Sequence, residues 1–135
     1  MKAILADINI QGHLKALLSV WEGEDWRDLW SSLNLNLLTF PDLDIEQEAT
    51  DEVVWLICQR EHLILLTANR NAQGPDSLEQ ILRTRSTSSS LPVFTIANAQ
   101  RVLHSRAYAE RVAIRFLEYL LDIDRVRGVG RIYLP

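Results

Sequence analysis

At 135 residues, 47% hydrophobic and 24% charged, the chain has enough apolar material for one buried core, and no compositional excess marks it as fibrous, disordered or disulfide-stapled. No apolar run approaches the roughly 18 residues of a spanning helix, and a single cysteine, Cys58, excludes an intramolecular disulfide. The net charge of −4 is unevenly divided: residues 1–82 hold 5 Lys or Arg against 14 Asp or Glu, and residues 83–135 hold 9 against 4.

Lys2–Ile8 is a short apolar run that reads as a buried central strand. The chain enters it without the apolar region and cleavage site of a secretory signal, so a cytoplasmic location is the expectation. Leu14, Leu17, Leu18 and Trp21 recur at helical spacing and predict a helix ending near Gly23. Trp26, Leu29, Trp30 and Leu33 repeat the period, and the Trp26/Trp30 pair serves either core packing or docking. Leu35–Phe40 is the next strand, closed by Pro41, and the acidic stretch Asp42–Glu48 is a loop or a solvated helix.

Thr50 is the N-cap of a further helix, with Asp51 and Glu52 in its first turn and Val53, Leu56, Ile57 and Arg60 on one face. Cys58, among Val54, Trp55, Leu56 and Ile57, reads as a small buried hydrophobe rather than a reactive thiol. Leu63–Thr67 is strand-like, residues 71–76 form a turn, and Asp76 or Ser77 caps a helix through Ile81 and Leu82. Ser86–Ser90 is a low-complexity loop before a strand at Pro92–Ile96. Asn98 or Ser105 opens the last helical region, where Ala109, Val112, Ala113, Phe116, Leu117, Leu120 and Ile123 form an apolar stripe. Gly128 and Gly130 end it, and Arg131–Leu134 adds an edge strand. Strands alternating with helices predict one α/β domain over residues 1–135, a three-layer α/β/α sandwich with a mostly parallel central sheet.

Three polar signatures sit at the edges of these elements: Asp7-Ile8-Asn9-Ile10, Thr50-Asp51-Glu52 and Thr67-Ala68-Asn69-Arg70-Asn71. In a parallel sheet the carboxyl ends of neighbouring strands converge, so residues distant in sequence can share one site. Asp7 has two open readings, a magnesium or manganese ligand or a cap for the following turn. Asp51 and Glu52 also suit the positive end of a helix dipole. Successive helix positions diverge by about 100°, so one of the pair aims at Asp7; Glu52 is expected to do so and Asp51 to stay solvated. Asn69 and Asn71 carry amide oxygens able to meet a hard cation, or serve as turn residues. Asp76 is a third carboxylate or a helix cap. Arg70 contacts phosphate or stays solvated, as do Arg106, Arg111 and Arg115 on the exposed face of the long helix. His13, His62 and His104 show no ligand spacing, and Gly128-Val129-Gly130 is no phosphate loop.

The order and spacing of the three signatures resemble the PIN-like family of short bacterial nucleases, over residues 1 to 71 and with amides in the third signature where the family has acids. The resemblance implies a magnesium or manganese cofactor and metal-assisted hydrolysis of single-stranded RNA. It implies Asp7, Glu52, Asn69 and Asn71 as catalytic residues, and Asp7, Asp51, Glu52, Asn71 and Asp76 as metal ligands. Arg70, Arg106, Arg111 and Arg115 would contact nucleic acid. Implied partners are RNA, an antitoxin or other protein, and a second copy in a homodimer, with no membrane. The alternative is a non-catalytic PIN-like module that binds protein or RNA through its arginine face or exposed aromatics. A receiver-like domain phosphorylated on Asp7 fits worse, because the only lysines are Lys2 and Lys15 and neither follows a late strand.

Overall fold

The computed structural model describes residues 1–69 and 77–135. Its sheet contains β1 (Ala3–Ala6), β2 (Asn36–Leu38), β3 (Leu63–Thr67), β4 (Val93–Ile96) and β5 (Arg131–Leu134), all parallel in the order β2-β1-β3-β4-β5. Six α-helices are described: α1 (Gln11–Trp21), α2 (Arg27–Leu33), α3 (Asp51–Glu61), α4 (Leu78–Arg85), α5 (Ala99–His104) and α6 (Arg106–Leu121). The alternating architecture expected from the sequence is the one observed, with the sheet wholly parallel.

Side chains alternate across the pleat, and the alternation builds two cores. Ile4, Ala6, Ile64, Leu66, Phe94, Ile96, Ile132 and Leu134 face one layer, against Leu14, Leu17 and Trp21 of α1 and Val112, Phe116 and Leu120 of α6. Ala3, Leu5, Leu63, Leu65 and Val93 face the other, against Val54, Trp55 and Cys58 of α3 and Ile81 and Leu82 of α4. Both faces of β1, β3 and β4 are therefore dry, which is why these strands read as continuous apolar runs.

The tryptophans belong to packing. Trp21 donates its indole N–H to the Ala113 carbonyl at 2.8 Å and stacks on Trp30 at 4.4 Å between centroids. Trp26 and Trp30 both lie against this core, so the pair is not a docking stripe. On α3 the face carrying Val53 and Leu56 turns outward, and Val54, Trp55 and Cys58 turn in. Burying Trp55 removes more apolar surface from water than the alternative face offers. Ser77, Asn98 and Ser105 each cap a helix, the last two because the final helical region is divided into α5 and α6. The acidic stretch after Phe40 forms a short 3-10 turn at Pro41–Leu43 and further turns rather than a solvated helix.

Candidate functional site

The connection after β1 runs into α1 on one face of the sheet, and the connection after β3 runs into α4 on the other. Between two neighbouring strands whose connections part in this way, the carboxyl edge opens into a crevice. A cavity of about 390 Å³ lies there. Asp7, Asn9, Gln47, Asp51, Thr67 and Asn69 supply its polar lining, and Phe40, Val54, Leu65 and Leu78 an apolar wall. Asp42 closes the turn that follows Phe40, accepting from the Thr39 amide at 2.8 Å and the Thr39 hydroxyl at 2.9 Å. Those two bonds hold the Asp42 carboxyl below its usual range.

Asp7 joins the sheet through its own amide, which donates to the Leu66 carbonyl at 2.9 Å. One carboxylate oxygen accepts from the Ile8 amide at 2.7 Å and so caps the turn before α1. The other accepts from the Thr67 hydroxyl at 2.6 Å. The same hydroxyl oxygen accepts from the Asn69 amide at 2.9 Å, and the Asn69 carboxamide N–H₂ lies 3.1 Å from both oxygens of Asp51. A continuous chain of donors thus links two carboxylates, one directly after β1 and one in the first turn of α3. Thr67 is fully buried, so its hydroxyl has no water to fall back on.

Asp51 is the acid of its pair that lines the cleft; Glu52 turns away and pairs with Arg85 of α4 on the surface. This reverses the expected division between the two. Thr50 sets the helix phase by accepting from the Val53 amide at 3.3 Å, and inward packing of Val54 and Trp55 leaves Asp51 on the cleft side. Asn69 is in the cleft with Asp7 and Asp51, whereas Arg70, Asn71 and Asp76 lie outside the described residues. Arg106 and Arg115 are ion-paired along α6 with Glu110 and Glu118, and Arg111 sits over the Tyr108 ring.

The guanidinium of Arg131, with only 4% of its side chain exposed, supports the third signature from below. It donates to the Asn69 carbonyl and the Thr95 hydroxyl, each at 2.6 Å, and to Glu79 at 3.2 Å. From the sequence, Arg131 is only the start of an edge strand and Thr67 only the opening residue of the third signature, and neither is expected to hold the site. A buried arginine in an edge strand has no local signature, although a threonine closing an apolar strand two residues before an asparagine was a signal at hand. Burial, and secondarily the charge of Asp7, raise the Cys58 thiol to about 12, which leaves it protonated and inert. Burial also lowers the pKa of His13 at the start of α1, opposed by a backbone hydrogen bond with Ala99.

Among the described residues no three His, Cys, Asp or Glu side chains gather as a metal-holding group. The side-chain oxygens of the cleft lining belong to two carboxylates, three carboxamides and one hydroxyl. No helix among the described residues is long and apolar enough to cross a membrane. Fold and cleft together define the class: a parallel α/β protein with a two-carboxylate crevice at its switch point. No family model, curated protein or solved structure matches the chain.

Proposed function

We propose that the chain is a PIN-like ribonuclease domain that binds magnesium or manganese and hydrolyses single-stranded RNA. A toxin role with an antitoxin partner accompanies that reading. The observation that carries it is the meeting of Asp7 and Asp51, 44 positions apart in sequence, in one crevice at the carboxyl edge of a parallel sheet. Hard divalent cations take oxygen ligands, and magnesium commonly uses one or two carboxylates with the balance from water, so this donor set fits. Asp7 and Asp51 would hold the ion, and Asn69 joins them if its amide rotates to present oxygen. When bound, the ion supplies an activated water and offsets charge building on the phosphate.

The chain's own residues do the positioning. The Ile8 amide and Thr67 hydroxyl hold the Asp7 carboxylate in one orientation, and the Asn69 amide does the same for Asp51. A second reading, a PIN-like module that binds without cutting, is favoured by one contact: Asn69 presents N–H donors to Asp51 where a third carboxylate would demand a cation.

Manganese calorimetry with a single-stranded RNA cleavage assay tests the proposal. Metal binding and cleavage are expected in the wild type, lost in Asp7→Asn and Asp51→Asn, and retained in Glu52→Gln. A wild type that neither binds manganese at millimolar concentration nor cuts RNA overturns the nuclease reading in favour of the binding module.

A further inference from the structure

We propose that Arg101 and Arg111, seated on the ring of Tyr108, form a phosphate-binding pair for the backbone of a single-stranded RNA beside the cleft. The inference rests on the nuclease-like reading for the kind of strand, and on the geometry of α5 and α6 for everything else.

The arginines of this region divide into two kinds. Arg106 and Arg115 are neutralised within α6, at 3.3 Å from Glu110 and 3.6 Å from Glu118. Arg101 and Arg111 have no acidic partner among the described residues, yet both are drawn to one ring. Their guanidinium carbons lie 4.8 and 5.8 Å from the Tyr108 centroid. Tyr108 is 5% exposed and locked in the core, so it fixes the stems of two surface side chains. Two cations held on one ring repel each other, and among the described residues no carboxylate pairs with either of them. An anion with several acceptor oxygens does, and a guanidinium presents phosphate with a planar fork of donors.

The position suits a strand that also enters the cleft. Arg101 is in the first turn of α5, which begins directly after β4 and so at the carboxyl edge. The α1 helix packs against α5. Asn9 and Ile10, just ahead of α1, line the cleft. The start of α1 thus adjoins the cleft through Asn9 and Ile10, and α1 in turn packs against the helix that carries Arg101. Such a holding point is needed, because the cleft carries carboxylates and the chain a net charge of −4, both of which repel a polyanion. An acidic peptide would meet the same forks, but would gain nothing from the crevice alongside.

The test is fluorescence anisotropy of labelled oligouridylate with the full chain in EDTA, over a range of salt concentrations. Binding is expected without metal, and Arg101→Ala/Arg111→Ala should weaken it about tenfold or more. The double variant should also lose about 1.4 from the slope of log affinity against log salt, two phosphates at about 0.7 each. Arg125→Ala, whose guanidinium is already paired with Asp122, should bind as the wild type does. A folded double variant that keeps wild-type affinity and slope overturns the pair, even where manganese-dependent cleavage is present. Wild type that binds in EDTA through these arginines but never cuts supports the pair and sinks the nuclease reading alone. Polyglutamate bound more tightly than oligouridylate overturns the assignment to RNA.

Discussion

Thr67→Val tests the construction of the cleft most directly, since it removes one oxygen and keeps the side-chain shape. The Thr67 hydroxyl is fully buried, donates to Asp7 at 2.6 Å and accepts from the Asn69 amide at 2.9 Å. A hydrogen bond to a charged group contributes about 1.5–3 kcal/mol, and an abandoned donor costs about 1–3 kcal/mol. Asp7 and Asn69 are only partly buried, so the lower halves of these ranges apply. The added methyl returns about 0.8 kcal/mol. The net expectation is a loss of about 2 kcal/mol, or about 7 °C in Tm for a chain of this size. Urea unfolding followed by tryptophan fluorescence reads it, because Trp21 and Trp55 are buried. Thr67→Ser keeps the oxygen and should lose about 1 kcal/mol or less. In an Asp7→Ala background the valine substitution should cost about 1 kcal/mol less than in the wild type. A Thr67→Val protein within about 0.5 kcal/mol of wild type, with no coupling to Asp7, refutes the hydroxyl as the link between the carboxylates.

Asn69→Asp places a third carboxylate where an amide now meets Asp51 at 3.1 Å. Without metal it should unfold about 1–2 kcal/mol more easily, and manganese should raise its Tm more than that of the wild type; equal stability in EDTA with no added response to manganese contradicts the geometry. Cys58 should resist thiol reagents at pH 8 in the native state and react on unfolding, because its folded pKa is raised from 9.0 to about 12. Below pH 9 both states keep the proton; from pH 9 to about 12 the unfolded chain loses it first, so stability falls by up to about 1.4 kcal/mol per unit in a term that Cys58→Ala should lack. A native thiol that reacts freely at pH 8, or identical pH profiles for the two proteins, counts against that burial.

The sequence by itself determined the α/β class, the positions of the strands and the cap at Thr50, and it narrowed the other caps to Asp76 or Ser77 and Asn98 or Ser105, of which Ser77, Asn98 and Ser105 each cap a helix. These depend on local chemistry: apolar runs buried on both faces, and side-chain oxygens that accept from the first free amides of a helix. It also marked Asp7, Asp51 and Asn69 as polar residues at element edges, because a parallel sheet brings such edges together. Which member of an adjacent pair faces the crevice was a tertiary decision. Asp51 and Glu52 have the same chemistry, and the phase of α3 was set by the burial of Val54, Trp55 and Cys58. The same holds for the arginines: twelve look alike in sequence, and only packing separates Arg131, buried under Asn69, from Arg106 and Arg115, spent on neighbouring acids. A guanidinium acquires its role from whatever lies at the end of a long side chain, and residues that far apart along the chain meet only once the fold has formed.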